Sequence, residues 1–293
     1  MSREGEQKSN FTRPRGRCAP IPTAGTPETL HREVLSPILT GMPPAPDSEG
    51  TAIRTAGLVK RYGKMSALGG IDLEIPAGCA FGLVGANGAG KTTLIKCMLD
   101  LCSIDAGSIR IFGIEHGTPY SRSRLAFVPE RFVPPHYLTC REFIRLSLSL
   151  AGAKFAPDRV EQLFDELSLD RNALDRPVRH LSKGMTQKLG LASCFLLDRD
   201  LYVLDEPMSG LDPISRVAVK SVLARLTREG RTLFFTSHVL ADVEQLCSSI
   251  AVLDRGVVRF LGAPSRLCAQ FGETHLEQAF IRCVQEHDST NAA

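Results

Sequence analysis

From residue 52 onward the chain alternates short apolar runs with longer amphipathic ones. Runs at 71–75, 80–84, 109–112, 125–128, 201–204, 233–236 and 250–253 are rich in Ile, Leu, Val and Phe. Their length and composition predict strands. Apolar residues at helical spacing fill 92–101, 216–228 and 240–246, predicting helices between many of those strands. Strands that alternate with helices predict an α/β fold around a mainly parallel sheet covered on both faces. Between Pro135 and Leu181 the strand pattern stops. There, 140–151 and 158–167 predict two amphipathic helices, the second opened by Pro157-Asp158. This segment is a helical insertion into the α/β core.

Residues 1–50 have a different texture. Pro14, Pro20, Pro22, Pro27, Pro37, Pro43, Pro44 and Pro46 punctuate them, with little apolar periodicity between. Such a segment buries too little to offset its ordering entropy, so a disordered tail is expected. The small basic cluster Arg13, Arg15 and Arg17 belongs to that solvated arm. The expected organisation is a tail at 1–50, a core at 51–265 with its helical subdomain at about 131–180, and a C-terminal tail or helix at 266–293.

Composition narrows the class only slightly. With 43% hydrophobic and 23% charged residues in 293, the chain suits a globular domain with an inserted subdomain. A net charge of +3 argues neither for nor against nucleic acid or an acidic membrane. The 9 cysteines are odd in number and lack a C-x-x-C pair, which suits reduced buried thiols in the cytosol better than a disulfide framework or zinc site. No apolar run approaches the ~20 residues that cross a bilayer, and the start lacks a signal-peptide pattern. Any membrane role is therefore expected to come through another chain.

The chemistry begins at Gly85-Ala86-Asn87-Gly88-Ala89-Gly90-Lys91-Thr92, which fits G-x-x-x-x-G-K-[ST]. It follows an expected strand and opens an expected helix. Glycines let the backbone curl so that successive N–H groups point at phosphate oxygens. The helix adds its positive end. Lys91 brings a full charge to the β- and γ-phosphates, Thr92 offers a hydroxyl to Mg²⁺, and Thr93 supports the α-phosphate side. Downstream, the strand at 201–204 runs into Asp205-Glu206-Pro207. The end of a parallel strand is where α/β folds bind ligands. Asp205 is placed to hold Mg²⁺, through water. Glu206, next in the chain, points elsewhere and can face an attacking water as a general base.

The order of further motifs resembles the ATPases of ATP-binding-cassette (ABC) transporters. Leu181-Ser182-Lys183-Gly184-Met185 resembles the family's signature, about twenty residues before the acid pair. Ser209-Gly210-Leu211-Asp212 resembles the D-loop, and Thr236-Ser237-His238 the switch-histidine region. Tyr62, in Lys60-Arg61-Tyr62-Gly63, matches the aromatic that stacks on adenine; without that resemblance it is a strand aromatic packed into the sheet. The resemblance covers about residues 52–265. It implies a P-loop NTPase core with an antiparallel β subdomain and a helical insertion. It also implies ATP and Mg²⁺ as cofactors, and His238 as a catalytic contact to the γ-phosphate. Ser182 and Gly184 form a helix-terminal anion site that completes the nucleotide site of a second copy. The implied partners are a transmembrane subunit and a second ATPase subunit, in a homodimer or a heterodimer, with no nucleic acid. The implied location is peripheral, on the cytoplasmic face of the inner or plasma membrane.

Two departures refine the resemblance. Glu130, in Val128-Pro129-Glu130, stands where the family usually has Gln; a carboxylate can ligate Mg²⁺ or hold water but adds negative charge. Lys183 and Met185 replace Gly and Gln in the signature. This pairing resembles the ABC-2 group, mostly exporters, as does Leu276-Glu277-Gln278-Ala279-Phe280 near the end. The expected function is ATP hydrolysis that energises export through a separate membrane subunit. The alternative is a soluble mechanical ATPase of DNA repair or translation, whose cassettes usually carry a coiled coil or occur in pairs.

Overall fold

The structure, a computed structural model, describes residues 50–290, with side chains through 286. The tail expected at 1–50 lies, up to residue 49, outside the described residues. In chain order the elements are β1 (Thr51–Tyr62), β2 (Met65–Pro76), β3 (Ala80–Val84), α1 (Lys91–Met98), β4 (Ala106–Ile111), β5 (Ile114–Glu115), β6 (Leu125–Val128), α2 (Cys140–Leu150), α3 (Pro157–Glu166), α4 (Lys183–Phe195), β7 (Leu201–Leu204), α5 (Pro213–Arg228), β8 (Thr232–Thr236), α6 (Leu240–Leu246), β9 (Ser249–Asp254), β10 (Val257–Gly262), α7 (Pro264–Phe271) and α8 (Leu276–Thr290).

The larger sheet has the order β10-β9-β3-β8-β7-β6, and the smaller one β2-β1-β4-β5. Within the larger sheet β9-β3-β8-β7-β6 pair in parallel, and β10 closes one edge antiparallel to β9. The smaller sheet is antiparallel throughout.

Strand parity divides the core. Ala80, Val84, Tyr202, Leu204, Leu233, Phe235, Ile250 and Val252 pack on one side with α4, α5 and the helical insertion. Their neighbours Phe81, Leu83, Leu201, Val203, Phe234, Ala251 and Leu253 pack on the other, with α1 and the smaller sheet. Successive side chains of a strand point to opposite faces, so both faces are covered and the strands read as uninterrupted apolar runs. One face is shared between α1 and the antiparallel sheet, which is the antiparallel β subdomain expected from the sequence.

Helix ends follow local chemistry. Thr139 caps α2 by accepting from Glu142 N–H, while Glu142 Oε2 accepts from Thr139 N–H at 2.8 Å, a reciprocal cap whose loss typically costs ~1 kcal/mol. α1 stops at Met98 rather than continuing to 101 because Asp100 turns left-handed, with φ 57°. Leu101 N–H then bonds Lys96 O at 2.9 Å and Asp100 N–H bonds Cys97 O at 3.0 Å, which satisfies carbonyls left open at the helix end.

Sequence patterning missed β1, β10 and α7. In β1 the pairing with β2 shifts register at several points, so bulges interrupt the alternation that marks a strand. β10 follows a two-residue turn in which Arg255 and Gly256 both have positive φ, 47° and 75°. Such turns favour Asn-Gly or Asp-Gly, and Arg-Gly gives a weak signal.

Candidate functional site

The loop from β3 to α1 is shaped by its glycines. Gly88 and Gly90 have φ 82° and 111°, and a Cβ on Gly85 would lie 2.2 Å from Leu253 O. Residue 85 therefore packs directly on β9, and 88 and 90 hold backbone angles that side chains rarely adopt. Lys91 is 9% exposed, and its amine donates to Gly85 O at 2.6 Å and Ala86 O at 3.2 Å. Burial pulls its pKa below the usual lysine value; Glu206, Asp205 and Glu130 oppose that shift.

Around the end of β7 a buried network fixes the acids. Thr236 Oγ1 donates to Asp205 Oδ1 at 2.7 Å and accepts from Glu206 N–H at 2.8 Å. Thr92 Oγ1 donates to Asp205 Oδ2 at 3.3 Å. One threonine at the end of β8 thus holds the Asp205 carboxylate and the Glu206 backbone just past the end of β7. Glu206 adopts φ 50°, a left-handed strain costing ~1–2 kcal/mol in an L-residue. The Thr236 bond on its N–H and the Ser209 N–H on its carbonyl, at 3.0 Å, hold it there. The carboxylate, 12% exposed, meets the Nδ1 of His238 at 2.7 Å, with His238 itself 61% exposed.

Lys91, Thr92, Asp205, Glu206 and His238 line one cavity of about 680 Å³. Of the residues expected from sequence it gathers Ala86, Asn87, Gly88, Gly90, Lys91, Thr92, Thr93, Glu130, Asp205, Glu206 and His238. Gly85 and Ala89 support the loop from behind: Ala89 is buried, and its carbonyl accepts from Gly256 N–H at 2.9 Å. Tyr62 does not line the cavity. It sits beside it, 46% exposed, with its hydroxyl against the Cys102 thiol and Thr93. The Cys102 contact, then partial burial, hold its proton more tightly than in a free phenol.

Ser182 and Gly184 also lie outside the cavity. Ser182 is exposed and caps α4, its Oγ accepting from Met185 N–H at 3.2 Å. Gly184 packs by the D-loop, where a Cβ would lie 3.6 Å from Gly210 O. Phe132, just beyond Glu130, seats its ring on Gly190 of α4, where a Cβ would fall 2.8 Å from Phe132 Cδ1. The Glu130 loop and the signature helix are thereby joined.

Sequence reasoning missed Met65, Ser66, Ala67 and Arg255, which also line the cavity. Arg255 is placed by the β9–β10 turn, whose Gly256 carbonyl accepts from Gly69 N–H at 2.8 Å. The Arg-Gly pair was the signal available, once read as a hairpin turn. From the C-terminal end, Phe280 borders a second cavity of about 220 Å³ beside Gly85, Ala86, Asn87 and His238, which brings the tail motif to the back of the phosphate loop.

A family model described as ABC transporter matches residues 68–209. The daunorubicin/doxorubicin resistance ATP-binding protein DrrA of Streptomyces peucetius is 35% identical over 246 residues, 83% of this chain and 72% of that protein. The chain belongs to the ABC transporter ATP-binding proteins. The Nod factor export ATP-binding protein I of Ralstonia nicotianae is a further ABC relative, 34% identical over 230 residues, 77% of this chain and 71% of its own. A solved ATP-binding subunit of an ABC transporter superposes with TM-score 0.73 at 30% identity, covering 80% of this chain and 99% of that one. Two relatives from Synechocystis and Nostoc strains are 38% and 35% identical, and the chain spans 55% and 65% of their lengths.

The ABC-2 likeness read from Glu130 and the signature agrees with these relatives, as does the P-loop NTPase fold. The oxygen donors suit Mg²⁺: a threonine hydroxyl and a carboxylate meet at one point of the cavity. Mg²⁺ takes few protein oxygens and fills its shell with water and phosphate. Among the described residues no cluster of three or more His, Cys, Asp or Glu forms a metal cage. Also among the described residues, no helix is long and apolar enough to cross a membrane.

Proposed function

We propose that this ABC protein hydrolyses ATP to ADP and phosphate in a site closed by a second ATPase subunit, and that the resulting motion drives export through a separate membrane subunit. The observation that carries the reading is the arrangement on one cavity wall. Lys91, the Thr92–Asp205 pair and the Glu206–His238 pair face the same space, while Ser182, exposed at the start of α4, and Gly184, packed by the D-loop, lie outside it.

The phosphate loop N–H groups and the N-terminus of α1 receive the phosphates, with Lys91 charging the β- and γ-oxygens. Glu206 accepts the proton of a water whose oxygen attacks the γ-phosphorus; the bond to the β–γ bridging oxygen breaks and ADP leaves. His238, bonded to the same carboxylate, orients it and meets the γ-phosphate. Thr92 and Asp205 hold Mg²⁺, with Glu130 on the same cavity wall as a further oxygen donor. That ion supplies charge neutralisation on the phosphates. Tyr62 receives adenine at the open end.

In other P-loop enzymes an arginine finger brings a further positive group from a partner. The helix terminus at Ser182 and Gly184 provides it from the partner subunit. Export is supported by relatives named for drug resistance and for Nod factor export. The contact with the membrane subunit falls on the Glu130 loop and the helical insertion, where Val133 and Tyr137 are 86% and 70% exposed. That contact places the protein peripherally on the cytoplasmic face of the membrane.

A mixing experiment tests the shared site. Neither Ser182→Arg nor Lys91→Ala should hydrolyse ATP alone. Mixed, their heterodimers hold one site with an intact loop and an intact signature, and activity should return. Full activity of Ser182→Arg alone, at every protein concentration, would overturn the shared site.

A further inference from the structure

Below the phosphate loop the chain brings two thiols together. The left-handed reversal at Asp100 carries the chain back over the last turn of α1, and Cys102 Sγ lies 3.5 Å from Cys97 Sγ. Cys97 is buried and Cys102 half-buried. The Tyr62 hydroxyl completes the group: the Cys102 thiol is its hydrogen-bond neighbour, and Thr93 touches the same hydroxyl. A continuous line of contacts thus runs from the core end of α1, through both sulfurs, to the residue beside the open end of the cavity.

We propose that Cys97 and Cys102 form a thiol switch that weakens nucleotide binding when it closes to a disulfide. The inference rests on the reading of Tyr62 as the adenine platform. A disulfide holds its sulfurs about 2.05 Å apart, so closure from 3.5 Å requires one of them to move. Cys97 is fixed in the buried face of α1. Cys102 lies in the loop beyond it and moves instead, which removes the partner that holds the Tyr62 hydroxyl.

The oxidant is a hydroperoxide, ROOH. The Cys102 sulfur attacks the terminal peroxide oxygen; an S–O bond forms, the O–O bond breaks, and the leaving alkoxide takes the thiol proton to give ROH. The Cys97 sulfur then attacks the Cys102 sulfur; the S–S bond forms, the S–O bond breaks, and hydroxide leaves as water with the Cys97 proton. Two thiols lose two electrons and two protons, and the peroxide gains them. Burial and the adjacent Cys102 push the Cys97 thiol up to about 12, which suits the second, resolving role better than first attack. A dithiol reductant reverses the reaction by attacking the more accessible Cys102 sulfur.

The test uses the full chain, treated with hydrogen peroxide, alkylated and digested with trypsin. Cleavage after Lys96 and Arg110 leaves both cysteines on one peptide, 97–110. After oxidation this peptide should be lighter by two hydrogen atoms and carry no alkyl group. Affinity for a fluorescent ATP analogue should fall about 3- to 10-fold, the range expected for a lost aromatic contact, and recover with dithiothreitol. Cys102→Ser and Cys97→Ala should each abolish both responses; two variants guard against one that misfolds. Full alkylation of the peptide from oxidised, folded protein would overturn the proposal. So would a disulfide that forms and leaves affinity unchanged. Reduced protein that binds no nucleotide would reject the ATP reading, and the affinity effect with it, while the peptide mass decides thiol closure separately.

Discussion

The two ends of the cavity are built differently. At the phosphate end the working groups are backbone N–H groups, a lysine that is 9% exposed and bonded to the Gly85 and Ala86 carbonyls, and an aspartate that is 4% exposed and held by Thr92 and Thr236. At the open end Met65, Arg255 and the adjacent Tyr62 are exposed side chains on or beside the β1–β2 and β9–β10 turns. A buried, fully bonded network leaves no room for substitution, because each removed partner strands a polar group. An exposed aromatic contributes contact area, and an exposed arginine adds a charge that solvent screens. Changes at the first end should therefore alter chemistry or abolish binding, and changes at the second should only grade affinity.

The largest effect is expected at Glu206. Glu206→Gln should slow hydrolysis by a factor on the order of 100 or more while keeping ATP bound. Size-exclusion with ATP and Mg²⁺ should then show a persistent dimer. A variant that turns over at the wild-type rate removes Glu206 from the mechanism. Lys91→Ala comes next, with ATP affinity falling by on the order of 100-fold as a charge-assisted contact is lost. Equilibrium titration measures it, and unchanged affinity would dissolve the contrast between the two ends.

Thr236→Val sharpens the comparison without touching an acid. It removes the hydroxyl shared by Asp205 and the Glu206 N–H, so turnover should fall about 10-fold and stability by about 1–3 kcal/mol, read from steady-state rates and urea denaturation. The smallest effects belong to the open end. Tyr62→Ala should weaken ATP binding about 3- to 10-fold with turnover at saturating ATP nearly unchanged, a split between KM and kcat. If kcat fell as well, Tyr62 would belong with the buried network.

The same contrast explains how far the sequence could be read. The phosphate end is written in local motifs, because curling a backbone around phosphate demands Gly at 88 and 90 and a lysine at 91 within one short loop. Strands at 125–128 and 201–204 were legible to the residue, since the second is buried on both faces and the first is buried on one face and half-buried on the other. The role of Thr236 was not legible: its motif was visible, but its two bonds to residues thirty positions away depend on β7 and β8 being neighbours. Met65, Ser66, Ala67 and Arg255 were missed for the same reason. Nothing local marks them, and two turns far apart in sequence bring them together. The α8 motif was seen as a pattern, but only the packing of Phe280 gives it a place beside the phosphate loop.

The strand order of the larger sheet has a consequence for synthesis of the chain. β3 lies between β8 and β9, both made much later, and β7 reaches β3 only through β8. The phosphate loop emerges first, yet Thr236 follows Lys91 by roughly 150 residues, about 7–30 s of elongation at ordinary rates. During that interval β3 has neither of its sheet neighbours, and its edges and its apolar faces are open. Long-range parallel pairing is slow to form and exposed to aggregation while it waits. Nascent chains of this protein should therefore depend on chaperone cover until β8 and β9 have been made, and truncations that end before β8 should be insoluble however complete their phosphate loop.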